Sequence, residues 1–179
     1  EELRSFQWKM NVVKSNEVNA FCMPGGKIVV YEGILPVTQD EASLAVVLGH
    51  EIAHAVAKHS AEQMSTQIKQ QYGTQILGGI LSSAVGANTG NAVAQLAQTG
   101  FSFANLKYSR DNENEADYMG LIFAAIAGYD PQVAGSFWQR MAAGNTQAQA
   151  EFLSDHPSDA TRIANLQKYM PEALKYYKK

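Results

Sequence analysis

The chain has 179 residues, 46% of them hydrophobic and 17% charged, with a formal net charge of -3 and a pI near 5.8. That is the size of one ordinary domain with enough apolar side chains to build a core, which excludes a disordered chain. The acidic balance excludes the clustered basic footprint of a nucleic-acid binder, and no stretch reaches the roughly 20 apolar residues of a membrane-spanning helix.

The first residue is Glu1, which points to a leader processed or deleted upstream. Residues 1–9 are short and mixed, helical or frayed. Strands are expected at residues 10–14, 18–23 and 27–31, and Pro24-Gly25-Gly26 is a hairpin turn between the last two. These make a small antiparallel sheet. Cys22, the single cysteine, excludes an internal disulfide and reads as a small core residue within its strand.

Helical patterning follows. Thr38 or Asp40 caps a helix expected to run unbroken over residues 41–64, with acidic residues in its first turn. It is apolar on most sides, so it is buried, and His50, Glu51 and His54 in its middle need compensating partners. Residues 70–106 hold no Asp, Glu, Lys or Arg. They fit either a pair of small-residue helices or a mobile flap or contact surface. Further helices are expected at residues 110–127, ended by Gly128, then at 131–143, 158–169 and 171–177. No repeat or linker divides residues 1–179, which form one domain.

His-Glu-Ile-Ala-His places His50 and His54 one above the other on a helix face, where two imidazole nitrogens can reach one zinc ion. Glu51, one position round, faces the open coordination site as a base. A catalytic site needs a third protein ligand. His59 lies nine residues after His50 and is turned about 140° from His54 on a continuous helix, so it is placed at the surface or as an outlying contact. The three-histidine zincin pattern fails, since Ala57 and Ser60 stand where its Gly and third His belong. Glu113 is the better candidate. Asp117, four residues on, shares its face and can orient a ligand histidine, while Glu115 points elsewhere as part of a solvated face.

These residues resemble the zinc metallopeptidase family that includes HtpX and the CAAX prenyl endopeptidases, and within it the soluble periplasmic BepA- and LoiP-like branch. The matching runs are NAFCMPGGKIVVYEGIL from Asn19; His50 to His54; Ser109-Arg110 with Glu113, Ala116, Asp117 and Gly120; and HPSDATRI from His156. Together they span nearly the whole chain, and Cys22 stands where an alanine is expected. The resemblance implies an α+β, mainly helical, zincin-like fold with a gluzincin site: one Zn2+ per chain on His50, His54 and Glu113, with Asp117 orienting. It implies that Asn19, Ala20 and Phe21 edge the cleft, where a polypeptide substrate adds as a strand.

In the mechanism so implied, Glu51 takes a proton from the zinc-activated water and hands it to the leaving amine. His156, held extended before Pro157 and followed by a capping Ser158, is the candidate donor to the oxyanion. Arg162 either orients the site or pairs with an acidic residue. The resemblance further implies a bacterial envelope location, periplasmic or lipid-anchored, with peripheral membrane or envelope-protein contact, and it leaves the oligomeric state open. The rival reading is a metal-bearing, chaperone-like binding module whose site is latent or blocked.

Overall fold

The computed structural model describes residues 2–72, 102, 104, 106–144, 146–156 and 160–178. The expectations for residues 73–101 and for Pro157 and Ser158 lie outside the described residues.

After a 3-10 turn at Glu2–Ser5 come three strands, β1 (Lys9–Val13), β2 (Ala20–Met23) and β3 (Lys27–Tyr31). The β2–β3 hairpin forms as expected: Gly25 and Gly26 both take positive φ, and Gly26 N–H donates to Met23 O. The sheet is mixed, however, not antiparallel. β1 pairs with β3 in parallel register, giving the order β1-β3-β2. A turn signal fixes only the sequential neighbour, while the partner of β1 is chosen by a crossover through residues 14–19. Gly33 receives that crossover, since a Cβ there would sit 2.5 Å from Asn16 O. Side chains alternate along β2 and β3, and Ala20, Cys22, Ile28 and Val30 are buried on one face, whereas every residue of β1 is exposed.

A 3-10 turn, Glu32–Ile34, and a single helical turn, α1 (Leu35–Thr38), lead to α2 (Glu41–Val56). Asp40 is the cap: its carboxylate accepts from Ser43 N–H at 2.7 Å. The long helix expected over residues 41–64 breaks at Ala57–Lys58, where Lys58 adopts φ 66°, and restarts as α3 (His59–Tyr72). Then come α4 (Arg110–Ile126), α5 (Val133–Ala143), α6 (Gln147–Asp155) and α7 (Ala160–Ala173). α4 opens on a capping box between Ser109 and Asn112 and stops before Gly128 at φ 88°. Pro171 lies inside α7 and does not open a helix of its own, and α6 has no counterpart among the expected helices.

α2 and α4 form the central contact. A Cβ on Gly49 would stand 2.6 Å from Gly120 O, and one on Gly120 would stand 2.7 Å from His50 N. Backbones pack this closely only where both helices present glycine, and that contact sets the histidines of α2 against the carboxylates of α4. Trp138, Phe137, Met141, Phe152, Leu121 and Leu166 fill the core around them. Among the described residues no helix is long and apolar enough to cross a membrane.

Candidate metal centre

Four donor atoms, one each from His50, His54, Glu113 and His156, lie within 4.8 Å of one another, and all four residues are buried. His50 Nε2 is 3.0 Å from His54 Nε2 and 3.3 Å from His156 Nδ1. Glu113 Oε1 is 3.3 Å from His54 Nε2 and 3.1 Å from His156 Nδ1, while Oε2 is 3.4 Å from His50 Nε2. A tetrahedron with zinc–nitrogen arms of about 2.0–2.1 Å has edges of about 3.3–3.4 Å, so the donor set fits that ion.

Charge gives a second test of fit. Glu51, Glu113 and Asp117 are buried carboxylates, and Arg162 is the buried guanidinium among them. With the histidines neutral, as metal ligands must be, that leaves an excess of two negative charges, which a divalent cation neutralises. Glu51 Oε1 is moreover buried with no hydrogen-bond partner among the described residues, and His156 Nε2 stands 3.6 Å from it. An orphaned carboxylate oxygen is costly unless something polar faces it.

The surroundings tune each group. Burial acts to lower the pKa of His50, but the Glu113 charge and a hydrogen bond to Asp117 outweigh it and lift it to about 9. Burial lowers His54 well below the ordinary histidine value, against its hydrogen bond to the Glu113 carboxylate. Burial raises Glu51, only partly opposed by His156 and His50, which suits a general base. Burial would raise Glu113 too, yet the charges of His156, His50 and Arg162 hold it below the usual carboxylate range. Cys22 is pushed up to about 12 by burial and the Glu51 charge, so its thiol stays protonated and inert.

The residues matched to a family model are 2–170, and that family is peptidase family M48. The chain belongs to peptidase family M48. It is 38% identical over 174 residues to the mitochondrial metalloendopeptidase OMA1 of Schizosaccharomyces pombe, covering 96% of this chain and 49% of that protein. With the OMA1 of Arabidopsis thaliana it shares 38% over 178 residues, 98% of this chain and 35% of the relative. With the beta-barrel assembly-enhancing protease of Yersinia pestis it shares 31% over 172 residues, 90% and 35% respectively. The chain thus spans about half or less of the length of these curated relatives. Mitochondrial and bacterial proteins both stand among them, so M48 membership holds without the narrower periplasmic branch following from it.

Within this M48 chain, the structure brings together His50, Glu51, His54, Glu113, Asp117, His156 and Arg162. Asp117 Oδ1 lies 3.0 Å from His50 Nδ1. Arg162, whose partner the sequence left open, grips Asp117 through Nε at 2.5 Å and Nη2 at 2.8 Å, meets Glu113 Oε2 through Nη1 at 2.6 Å, and stacks over Trp138. His156, expected as an oxyanion donor, sits among the metal donors themselves.

Asn19, Ala20 and Phe21 stand apart from that cluster. Asn19 Nδ2 donates to Ala104 O at 3.1 Å, Ala20 is buried in the core, and Phe21 packs edge-on against Tyr31. β2 is nevertheless an end strand of the sheet among the described residues.

Two contributors carry no signal in the sequence: Tyr108 stacks on the His54 ring at 3.8 Å, and Trp138 lies under Arg162. His59, expected at the surface or as an outlying contact, takes the second of those places, buried against His54. The helix break at Lys58 cancels the turn that would carry it to the surface.

Proposed function

We propose that this chain is a zinc-dependent endopeptidase that hydrolyses peptide bonds of polypeptides, with one zinc per chain on His50, His54 and Glu113. The observation that carries the reading is Glu51 Oε1, buried beside a ready donor set with no hydrogen-bond partner among the described residues. A zinc ion held by His50, His54 and Glu113 would supply Lewis acidity and make a water in the site acidic near neutral pH. Glu51 accepts the proton of the attacking water at Oε1 and returns it to the leaving amine. Asp117 and Arg162 hold the His50 ring, and His156 Nε2, directed at Glu51, donates to the developing oxyanion. The outer edge of the sheet at Asn19, Ala20 and Phe21 takes the substrate as an added strand.

The test is a casein digestion with and without chelator, alongside metal analysis. Glu51→Gln is expected to keep zinc and lose cleavage, while His50→Ala and Glu113→Ala lose both. Digestion by Glu51→Gln at the parent rate overturns the mechanism.

We further propose misfolded or envelope proteins as substrates and a bacterial envelope setting, with peripheral membrane contact. Similarity to the beta-barrel assembly-enhancing proteases supports this, while the mitochondrial relatives favour a mitochondrial setting instead. Fractionation of the native protein decides.

One observation favours a second reading, a latent or blocked site that binds chains without cutting them. His156 Nδ1 lies within the donor set, and four protein donors fill a tetrahedral ion, whereas catalytic sites keep a position open. His156→Ala separates the two. Faster digestion supports the blocked site, and slower digestion supports the oxyanion role.

A further inference from the structure

Two residues beside His54 have no part in that reaction, yet they are arranged around it. His59 is buried, and its Nδ1 lies 3.1 Å from Nδ1 of His54. Its other nitrogen, Nε2, lies 3.3 Å from Oε2 of Glu115, whose side chain is 58% exposed. A buried imidazole needs a partner at both nitrogens, and His59 has both.

Elimination then fixes the protons. His54 can turn a lone pair on Nε2 toward a cation only if its proton is on Nδ1. That Nδ1–H donates to His59, so Nδ1 of His59 accepts and its own proton sits on Nε2, which donates to the Glu115 carboxylate. One tautomer of each neutral ring satisfies every contact. We infer that His59 and Glu115 are positioning residues, a relay that holds His54 in the tautomer and ring orientation presenting Nε2 to the metal. The inference rests on the proposed zinc site and extends it to residues outside the metal-binding motif.

The backbone is shaped for this contact. On an unbroken helix His59 stands about 140° round from His54. The chain instead breaks at Ala57–Lys58, with Lys58 at φ 66°, a conformation that costs a non-glycine residue energy and persists only where its surroundings demand it. The same turn sets Ser60 Oγ 3.1 Å from the hydroxyl of Tyr108, the ring stacked on His54. One face of His54 and one of its nitrogens are thus both held from the start of α3.

His59→Leu and His59→Asn form the experiment, since an asparagine Oδ1 replaces Nδ1 as acceptor and leucine offers none. Zinc affinity is read by competition with a chromophoric chelator, and geometry by the visible bands of the cobalt-substituted protein. His59→Leu is expected to lose about 10–100-fold in zinc affinity and to shift the cobalt bands. His59→Asn recovers most of the affinity, and Glu115→Leu loses less than His59→Leu because an exposed partner is screened. Ring 15N spectra of the zinc-loaded parent need no variant and are expected to show protons on His54 Nδ1 and His59 Nε2. Parent-like affinity and bands in His59→Leu overturn the relay, as does a proton on His59 Nδ1. If the parent takes up no zinc, the proposed zinc site falls and the relay with it. If the parent binds one zinc, His54→Ala loses it and His59→Leu keeps it, only the relay falls.

Discussion

The two sides of the metal centre hold their histidines by opposite means. His50 and His54 share one face of α2, but His50 is met by charge: Asp117 at 3.0 Å, itself clamped by Arg162 over the Trp138 ring. His54 is met by rings: Tyr108 stacked at 3.8 Å and His59 at its Nδ1. Burial lowers both pKa values, yet His50 ends at about 9 and His54 well below the ordinary histidine range. Glu113 reaches both rings, so the difference comes from the Asp117 carboxylate added on the His50 side and from the charge of His50 itself, which holds its neighbour His54 down. Equivalent positions in a sequence motif thus become unlike groups through what a second helix brings to each.

That contrast can be broken most severely at Arg162. Arg162→Met leaves Glu113 and Asp117 buried without their cation and is expected to destabilise the metal-free protein by about 3–5 kcal/mol. Urea unfolding at neutral pH measures it, and a loss under about 1 kcal/mol would mean that Arg162 does not neutralise this carboxylate pair. Gly120→Ala affects both sides at once, because the new Cβ meets the His50 backbone and neither helix can yield locally. A loss of about 1–3 kcal/mol with weakened zinc binding is expected, read by unfolding and metal titration.

A sharper test uses protons. Raised to about 9, His50 is protonated at neutral pH in the metal-free protein, while His54 is not. Zinc uptake near pH 7.5 should therefore release about one proton, seen as a buffer-dependent enthalpy in titration calorimetry. The sign follows from linkage. A histidine raised in the fold stabilises it fully below its unfolded value near 6.5, and that contribution is lost as pH climbs through about 9. Metal-free stability from this group thus falls across that window while zinc affinity rises. Release that does not change between pH 7 and 10 counts against the assignment.

The smallest effect belongs to Lys58→Gly on the His54 side. Glycine accepts φ 66° without strain, which offsets the loss of the Lys58 side chain and its contacts, so stability changes by less than about 1 kcal/mol and the His59 contact stays in place. A marked loss means that the Lys58 side chain, and not its backbone alone, holds the break.

Much of the helical framework is legible in the sequence. The cap Asp40 opens α2 and the stop at Gly128 closes α4 by local hydrogen bonding and backbone freedom, and such signals need no distant partner. α6 leaves no such trace, because QAQAEFLSD carries apolar bulk only at Phe152 and Leu153, too little for a period to show. Pro171 reads as a helix start because a proline lacks its N–H, but in α7 packing carries the helix past it.

The sequence by itself determined which chemistry is possible: two nitrogens at helical spacing, a base between them, and a carboxylate on another helix at Glu113. Local periodicity and residue type are enough for that. Tertiary structure alone decided that β1 joins the sheet in parallel, that His156 enters the donor set, that Arg162 belongs to Asp117 and Glu113, and that His59 stands behind His54. Each of these depends on a contact between distant segments or on a single backbone angle. Neither leaves a periodic trace along the chain, because the energy that selects it comes from packing and buried charge.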